Sequence, residues 1–250
     1  MKKRFIFLSA LLFSSPSIYC QTWQSTSAPG GEVTAMIAGD SHRLIANPLI
    51  SIKYTDNLGV SWHTALNNIA VQAFGRASNN FFAATFQGLY KSSDNGASWA
   101  LLKSDGFNDL AAYDGSIWAL EENMAILKTS DGISFDSLDY LQTLAIGFYR
   151  IAIDNAGTII VAGDESLEKS IDGGLTFAPI NYPFVGIRKI SFDISGTLYV
   201  GESDGELFRS SDKGATWIQL NSTMPEYDDL VGLYCDSYGN ILYGYNDGFS

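Results

Sequence analysis

"SSDNGASW", residues 92–99, reads as a polar turn running into a tryptophan, and the chain writes it again and again. "SSDKGATW" occupies 210–217 and "SIDGGLTF" occupies 170–177, with looser copies as "YTDNLGVSW" at 54–62 and "TSDGISF" at 129–135. With Asp56, Asp94, Asp131, Asp172 and Asp212 as marks, the intervals are 38, 37, 41 and 40 residues. A period near forty marks a repeat architecture.

Within one period the pattern is clearest at 187–221, "IRKISFDISGTLYVGESDGELFRSSDKGATWIQLN". Four short apolar runs are separated by "DISG", "SDG" and "SDKGA", which are strand and turn signals with no helical period. The second run is almost continuously apolar in every copy, as in "FFAATF" from 81 and "TIIVAG" from 158. Strands of that kind are covered on both faces. The run ends on a small residue at Ala46, Ala84, Ala162, Gly201 and Gly244, with Leu120 the exception, which leaves room for an aromatic of the next unit. Four-stranded antiparallel meanders repeated radially predict an all-β chain, a β-propeller of five full repeats and a truncated sixth blade.

The ends carry separate signals. "MKKR", the apolar "FIFLSALLF" and the polar "SSPSIYC" have the three-part layout of a secretory signal over residues 1–20, too short to span a bilayer. The expectation is an exported protein, periplasmic, cell-surface or extracellular; acylation at Cys20 is the weaker alternative, because Tyr19 stands where a small side chain is wanted. Residues 21–29, with Trp23 placed as Trp217 is in "ATWIQLNST", are expected to form an outer strand closing the last blade. The chain stops inside the third strand of its sixth blade, so a missing C-terminal part is expected.

Residues 92–99, 170–177 and 210–217 match S-x-D-x-G-x-T-W without gaps, and on this motif the chain resembles the Asp-box, or BNR-repeat, propellers of the sialidase-like superfamily. The copy at 54 is read with one extra residue, Leu58, and that at 129 with one fewer. The resemblance implies the fold and leaves the reaction open, since one fold hosts many functions. Physically, each Asp is expected to accept backbone N–H groups of the turn. Gly96, Gly174 or Gly214 is expected to take a left-handed angle, and Trp62, Trp99, Phe135, Phe177 and Trp217 to plug the space between blades. One dedicated carboxylate per box falls short of what calcium requires, so the boxes are read as joints, with no metal and no cofactor.

Function is then sought where the repeat breaks. The blade-to-blade connections vary most, and they supply the ligand-binding candidates Phe107, Tyr140, Arg150, Tyr182, Phe184, Arg188, Tyr227 and Asp228, with further acids at Asp105, Asp109, Glu226 and Asp229. Aromatic faces beside carboxylates suit a protein segment or a glycan. Sialidase chemistry would need three arginines and a tyrosine backed by a glutamate, and Arg150 with Arg188 does not make that set. The enzyme alternative is a glycoside hydrolase, sialidase-like or, with two carboxylates, similar to the xyloglucan-degrading Asp-box propellers, and no catalytic residue is assigned. Without residues 1–20 the chain holds 12 basic and 27 acidic residues, a formal charge of −15 that disfavours nucleic acid. His42 and His63 join no ligand-spaced cluster, Cys235 reads as a small buried residue, and a monomer is expected.

Overall fold

The computed structural model describes residues 33–41, 43–48, 50–138, 149–163, 165–220, 229–235 and 241–246. The leader, the closing strand expected at 21–29, and the candidates Tyr140, Tyr227 and Asp228 lie outside those residues. The described chain folds into five four-stranded antiparallel sheets and one two-stranded sheet, the blades of a β-propeller. Blade one holds β1 (Val33–Ala38), β2 (Leu44–Pro48), β3 (Ser51–Thr55) and β4 (His63–Asn67); blade two holds β5 (Val71–Ala77), β6 (Asn80–Thr85), β7 (Gly88–Ser92) and β8 (Ala100–Lys103). In blade three are β9 (Phe107–Tyr113), β10 (Ser116–Glu121), β11 (Ile126–Thr129) and β12 (Asp136–Leu138). Blade four has β13 (Arg150–Ile153), β14 (Ile159–Gly163), β15 (Ser166–Ser170) and β16 (Ala178–Pro179), and blade five has β17 (Ile187–Phe192), β18 (Leu198–Glu202), β19 (Leu207–Ser210) and β20 (Ile218–Gln219). A sixth sheet pairs β21 (Asp229–Cys235) with β22 (Ile241–Asn246).

Each sheet is a simple meander, and the first strands β1, β5, β9, β13, β17 and β21 touch in succession along the inner wall. The second strands are the blade centres: β10, β14 and β18 are buried along their whole length. Their apolar side chains, such as Ile160, Val161 and Val200, are fully covered by neighbouring blades. The core is therefore a series of interblade layers. Phe81 and Ile45 belong to the layer between blades one and two, Phe82 and Phe107 to the next, Trp118 and Ile159 to the third, and Ile160 and Phe208 to the fourth.

The repeated turn closes each blade between its third and fourth strands with one hydrogen-bond set. In the turns at 92, 170 and 210 the Ser hydroxyl donates to the Asp carboxylate at 2.7 Å, and the Gly N–H donates to that Ser oxygen at 2.8, 2.9 and 2.7 Å. The same carboxylate accepts the backbone N–H of Ser98, Thr176 or Thr216 at 2.8–3.0 Å and its hydroxyl at 2.5–2.6 Å. Each of these three carboxylates thus takes three hydrogen bonds from its own turn. The shorter turn at 129 keeps part of the set, with Asp131 accepting from Ile133 N and Ser134 N.

The first turn corrects the sequence reading. Thr55 donates its hydroxyl to Asn57 Oδ1 at 2.8 Å, Gly59 N donates to Thr55 Oγ1 at 3.0 Å, and Ser61 N donates to Asn57 Oδ1 at 2.9 Å. Asn57 therefore occupies the aspartate position, with no inserted residue. Leu58 (φ 58°) adopts the left-handed angle of Asn95 and Lys213 (both 59°). Asp56 points elsewhere and pairs with Arg43 at 2.6 Å.

The turn also contacts the preceding blade. A Cβ on Gly214 (φ 91°) would lie 2.6 Å from Ile180 Cγ2, one on Gly174 3.0 Å from Leu138 Cδ1, and one on Gly96 would meet Ile45. The ring that ends each motif packs in the same direction: Trp99, Phe135, Phe177 and Trp217 join the layers shared with the blade before. A cation just before the turn of one blade reaches the turn of the next, as Lys91 Nζ donates to Asp131 O at 2.6 Å and Lys169 Nζ to Lys213 O at 3.2 Å. The spaces at the ends of the second strands admit a residue from the start of the next inner strand, aromatic or not: Phe107 shares a layer with Ala84, Ile187 shares one with Ala162, and Leu230 abuts Gly201.

Two outcomes are expected. Gly214→Ala should lose about 2–4 kcal/mol in urea unfolding, since left-handed strain of about 1–2 kcal/mol adds to an overpacked contact. Gly173→Ala, at φ 76° with nothing within 4 Å of its Cβ, should lose only about 1 kcal/mol. Secondly, hydroxyl and backbone donors from Thr176 and Thr216, then Ser170 and Ser210, hold Asp172 and Asp212 at about 2. Their folded values lie below the unfolded one, so this stabilisation is complete above about pH 4 and is lost as pH falls towards 2. The stability gap between wild type and Asp212→Asn should therefore be widest near pH 5 and close by pH 2.

Candidate functional site

In a meander the turns after the second and fourth strands lie at the end opposite the boxes, and this is where the non-repeating residues gather. The structure separates the sequence candidates by burial. Phe107 is fully buried, pairs with Glu121, and stands where Val71 and Ile187 stand in their own blades. It is a core residue, so its ring has no face to offer a ligand. Phe184 is 4 % exposed and fills the layer between blades four and five, with Phe208 at 4.7 Å and Trp217 edge-on at 4.9 Å between centroids.

Tyr182 is the candidate left at the surface of that cluster. Its ring stacks on Phe184 at 4.8 Å, and its hydroxyl is pushed up in pKa by burial and by the Glu165 carboxylate. Tyr182, Glu165, Ser166, Glu168, Phe177 and Pro179 line a recess of about 280 Å³ beside β15 and β16. Ser166 Oγ is covered and makes no hydrogen bond to any described residue. Neither Glu165 nor Ser166 was singled out by the sequence; both follow the short turn after β14, where the motif has no fixed residue.

Beside the recess, the connection into blade five is tied down. Val185 N donates to Glu202 Oε2 at 3.0 Å, and Ser203 N donates to Gly186 O at 2.8 Å. Glu202 is 5 % exposed, and burial, together with the Glu206 and Asp204 carboxyls, pushes it up to about 7 against the lowering donation from Val185. On the inner wall, Arg150 donates through Nε to Arg188 O at 3.0 Å and through a terminal nitrogen to Tyr149 O at 2.8 Å. Asp109 is turned towards blade four, accepting from Ile151 N at 3.0 Å, while Asp105 is exposed and pairs with Lys103 at 2.6 Å. Arg188 is partly buried at a bulge in β17.

Among the described residues no three His, Cys, Asp or Glu side chains gather as a metal site would require, and no helix is long and apolar enough to cross a membrane. His63 stacks on Tyr54 at 5.2 Å, and Cys235 is partly buried rather than a core residue. Asp229 begins β21.

Because the folded value of Glu202 is raised above the ordinary 4.5, its contribution to stability is complete below about pH 4.5 and is lost as pH rises through 7. Glu202→Gln keeps an acceptor for Val185 and removes the charge. The melting temperature of the wild type should fall more between pH 5 and 8 than that of the variant.

No family model matches the chain, and no curated protein matches it by sequence. Solved structures match it by fold. An ancestral GH74 enzyme is similar at a TM-score of 0.64 and 18 % identity, over 84 % of this chain and 34 % of that one. YCF48 bound to D1 peptide is similar at 0.62 and 18 % identity, over 80 % and 72 %. The extracellular domain of a hybrid two-component system from B. thetaiotaomicron gives 0.70 at 14 % identity, over 89 % and 32 %. This chain thus spans about a third of the first and third of these proteins, and at such identities the likeness is that of a shared β-propeller fold.

Proposed function

We propose that the chain is an exported Asp-box propeller that acts as a non-catalytic binding or assembly scaffold for a protein segment or a glycan. The observation that carries this reading is the division of labour between the two ends. At the box end the repeated carboxylates are consumed by turn hydrogen bonds. At the other end Tyr182 and Glu165, which lie outside the repeat, line the recess with a phenol and an exposed carboxylate, beside the ring of Phe177. An aromatic wall with a few convergent polar groups is the usual make-up of a ligand recess. Export rests on the leader-like residues 1–20. The solved neighbours of like fold include an enzyme, a peptide-bound protein and an extracellular domain, so the fold is compatible with binding and does not choose the ligand.

The test is a glycan array and a displayed peptide library probed with the intact chain, followed by Glu165→Gln combined with Tyr182→Phe. Tyr182→Phe keeps the stack on Phe184, whereas Tyr182→Ala would remove it and confound binding with stability. Any ligand found should bind at least about tenfold more weakly to the double variant, a loss near 1.4 kcal/mol, with the melting temperature unchanged. Hydrolysis of a glycan in the panel, or a ligand indifferent to both substitutions, would contradict the reading.

A further inference from the structure

Twice in this chain an arginine lies against an aromatic ring and a carboxylate together. The Arg43 guanidinium stands 4.3 Å over the Tyr54 ring, and its Nε is 2.6 Å from Asp56. Arg76 stands 5.1 Å over Phe81, and its terminal nitrogen is 2.8 Å from Asp40. The two sites share their physics: the negative face of the ring attracts the cation, and the carboxylate fixes its direction through a charge-assisted hydrogen bond.

The recess beside β15 and β16 repeats these groups without the cation. Tyr182 and Phe177 supply partly exposed rings, Glu165 supplies an exposed carboxylate, and Pro179 adds apolar wall. Burial and then the charge of Glu165 raise the pKa of the Tyr182 hydroxyl, which puts that carboxylate beside the ring. Among the described residues no basic side chain lines the recess, and none pairs with Glu165. A cation is therefore the group the recess lacks. A neutral glycan could stack on the rings and donate a hydroxyl to Glu165, yet it brings no charge to the carboxylate. A guanidinium brings the charge, a flat face for the rings and five donors in a fixed fork.

We propose that the recess receives an arginine side chain from a segment of a partner protein, with its guanidinium against Tyr182 and Phe177 and donating to Glu165. This rests on the reading of the recess as a binding site and names the chemistry that the site selects.

The probe is the peptide acetyl-Gly-Arg-Gly-amide, titrated into full-length protein carrying ¹³Cε-labelled tyrosines. Its counterpart is acetyl-Gly-citrulline-Gly-amide, which has nearly the same shape and no charge. The Tyr182 resonance is assigned by its absence in Tyr182→Phe. The arginine peptide should shift that resonance saturably, and the citrulline peptide should bind at least about tenfold more weakly. Glu165→Gln, at an exposed position, should weaken the arginine peptide by about tenfold and leave the melting temperature unchanged. An unmoved Tyr182 resonance, equal binding of the citrulline peptide, or undiminished binding to Glu165→Gln would overturn the arginine assignment. A neutral ligand from the glycan or peptide panels that needs both Glu165 and Tyr182 would also overturn it while leaving the scaffold reading in place, whereas hydrolysis of a glycan would remove both.

Discussion

The structure depends on the meeting of a left-handed glycine with the side face of the preceding blade. A four-stranded meander of this length has two apolar faces and cannot bury both within itself. The box solves this by drawing the turn tight enough for backbone, and then an aromatic ring, to enter the layer shared with the preceding blade. At Gly214 the approach to Ile180 leaves no room for a methyl group. Carboxylate, hydroxyl and glycine are thus one device: the Ser and Asp fix the turn, and the fixed turn presents the glycine.

This explains why acids that look available for chemistry are not. The box carboxylates of Asp172 and Asp212 are solvent-exposed yet held at about 2 by donors within their own turns. Chemistry is left to positions that the repeat does not specify, namely the rim beside β15. The rim offers a mixed aromatic and polar recess.

The repeat, the strand order and the role of the turn were legible in the sequence because each follows from local chemistry: an Asp with a Ser two residues before it and a Gly two after it. Asn57 is masked in the sequence by the neighbouring Asp56, though an amide oxygen accepts the same N–H groups. Phe107 follows "KSDG" and so resembles a loop aromatic in the sequence; its register, matching Val71 and Ile187, places it in the core. The bulge between Ile187 and Lys189 shifts the pairing of β17 by one residue, so the register of Arg188 is not legible, since no local pattern announces a bulge. The lysines that cross between blades did carry a signal, since "KS" precedes the box at 91 and 169. The recess at Glu165 carried none, because it is assembled from segments that meet only after the blade has closed.

The most direct measurement is a double-mutant cycle between Gly214→Ala and Ile180→Ala, followed by urea unfolding. If the glycine exists to admit the neighbouring blade, trimming Ile180 should relieve part of the penalty for the added methyl, giving a coupling of about 1–2 kcal/mol. Strict additivity would mean that Gly214 serves only its own turn, and the account of the box as an interblade joint would be wrong.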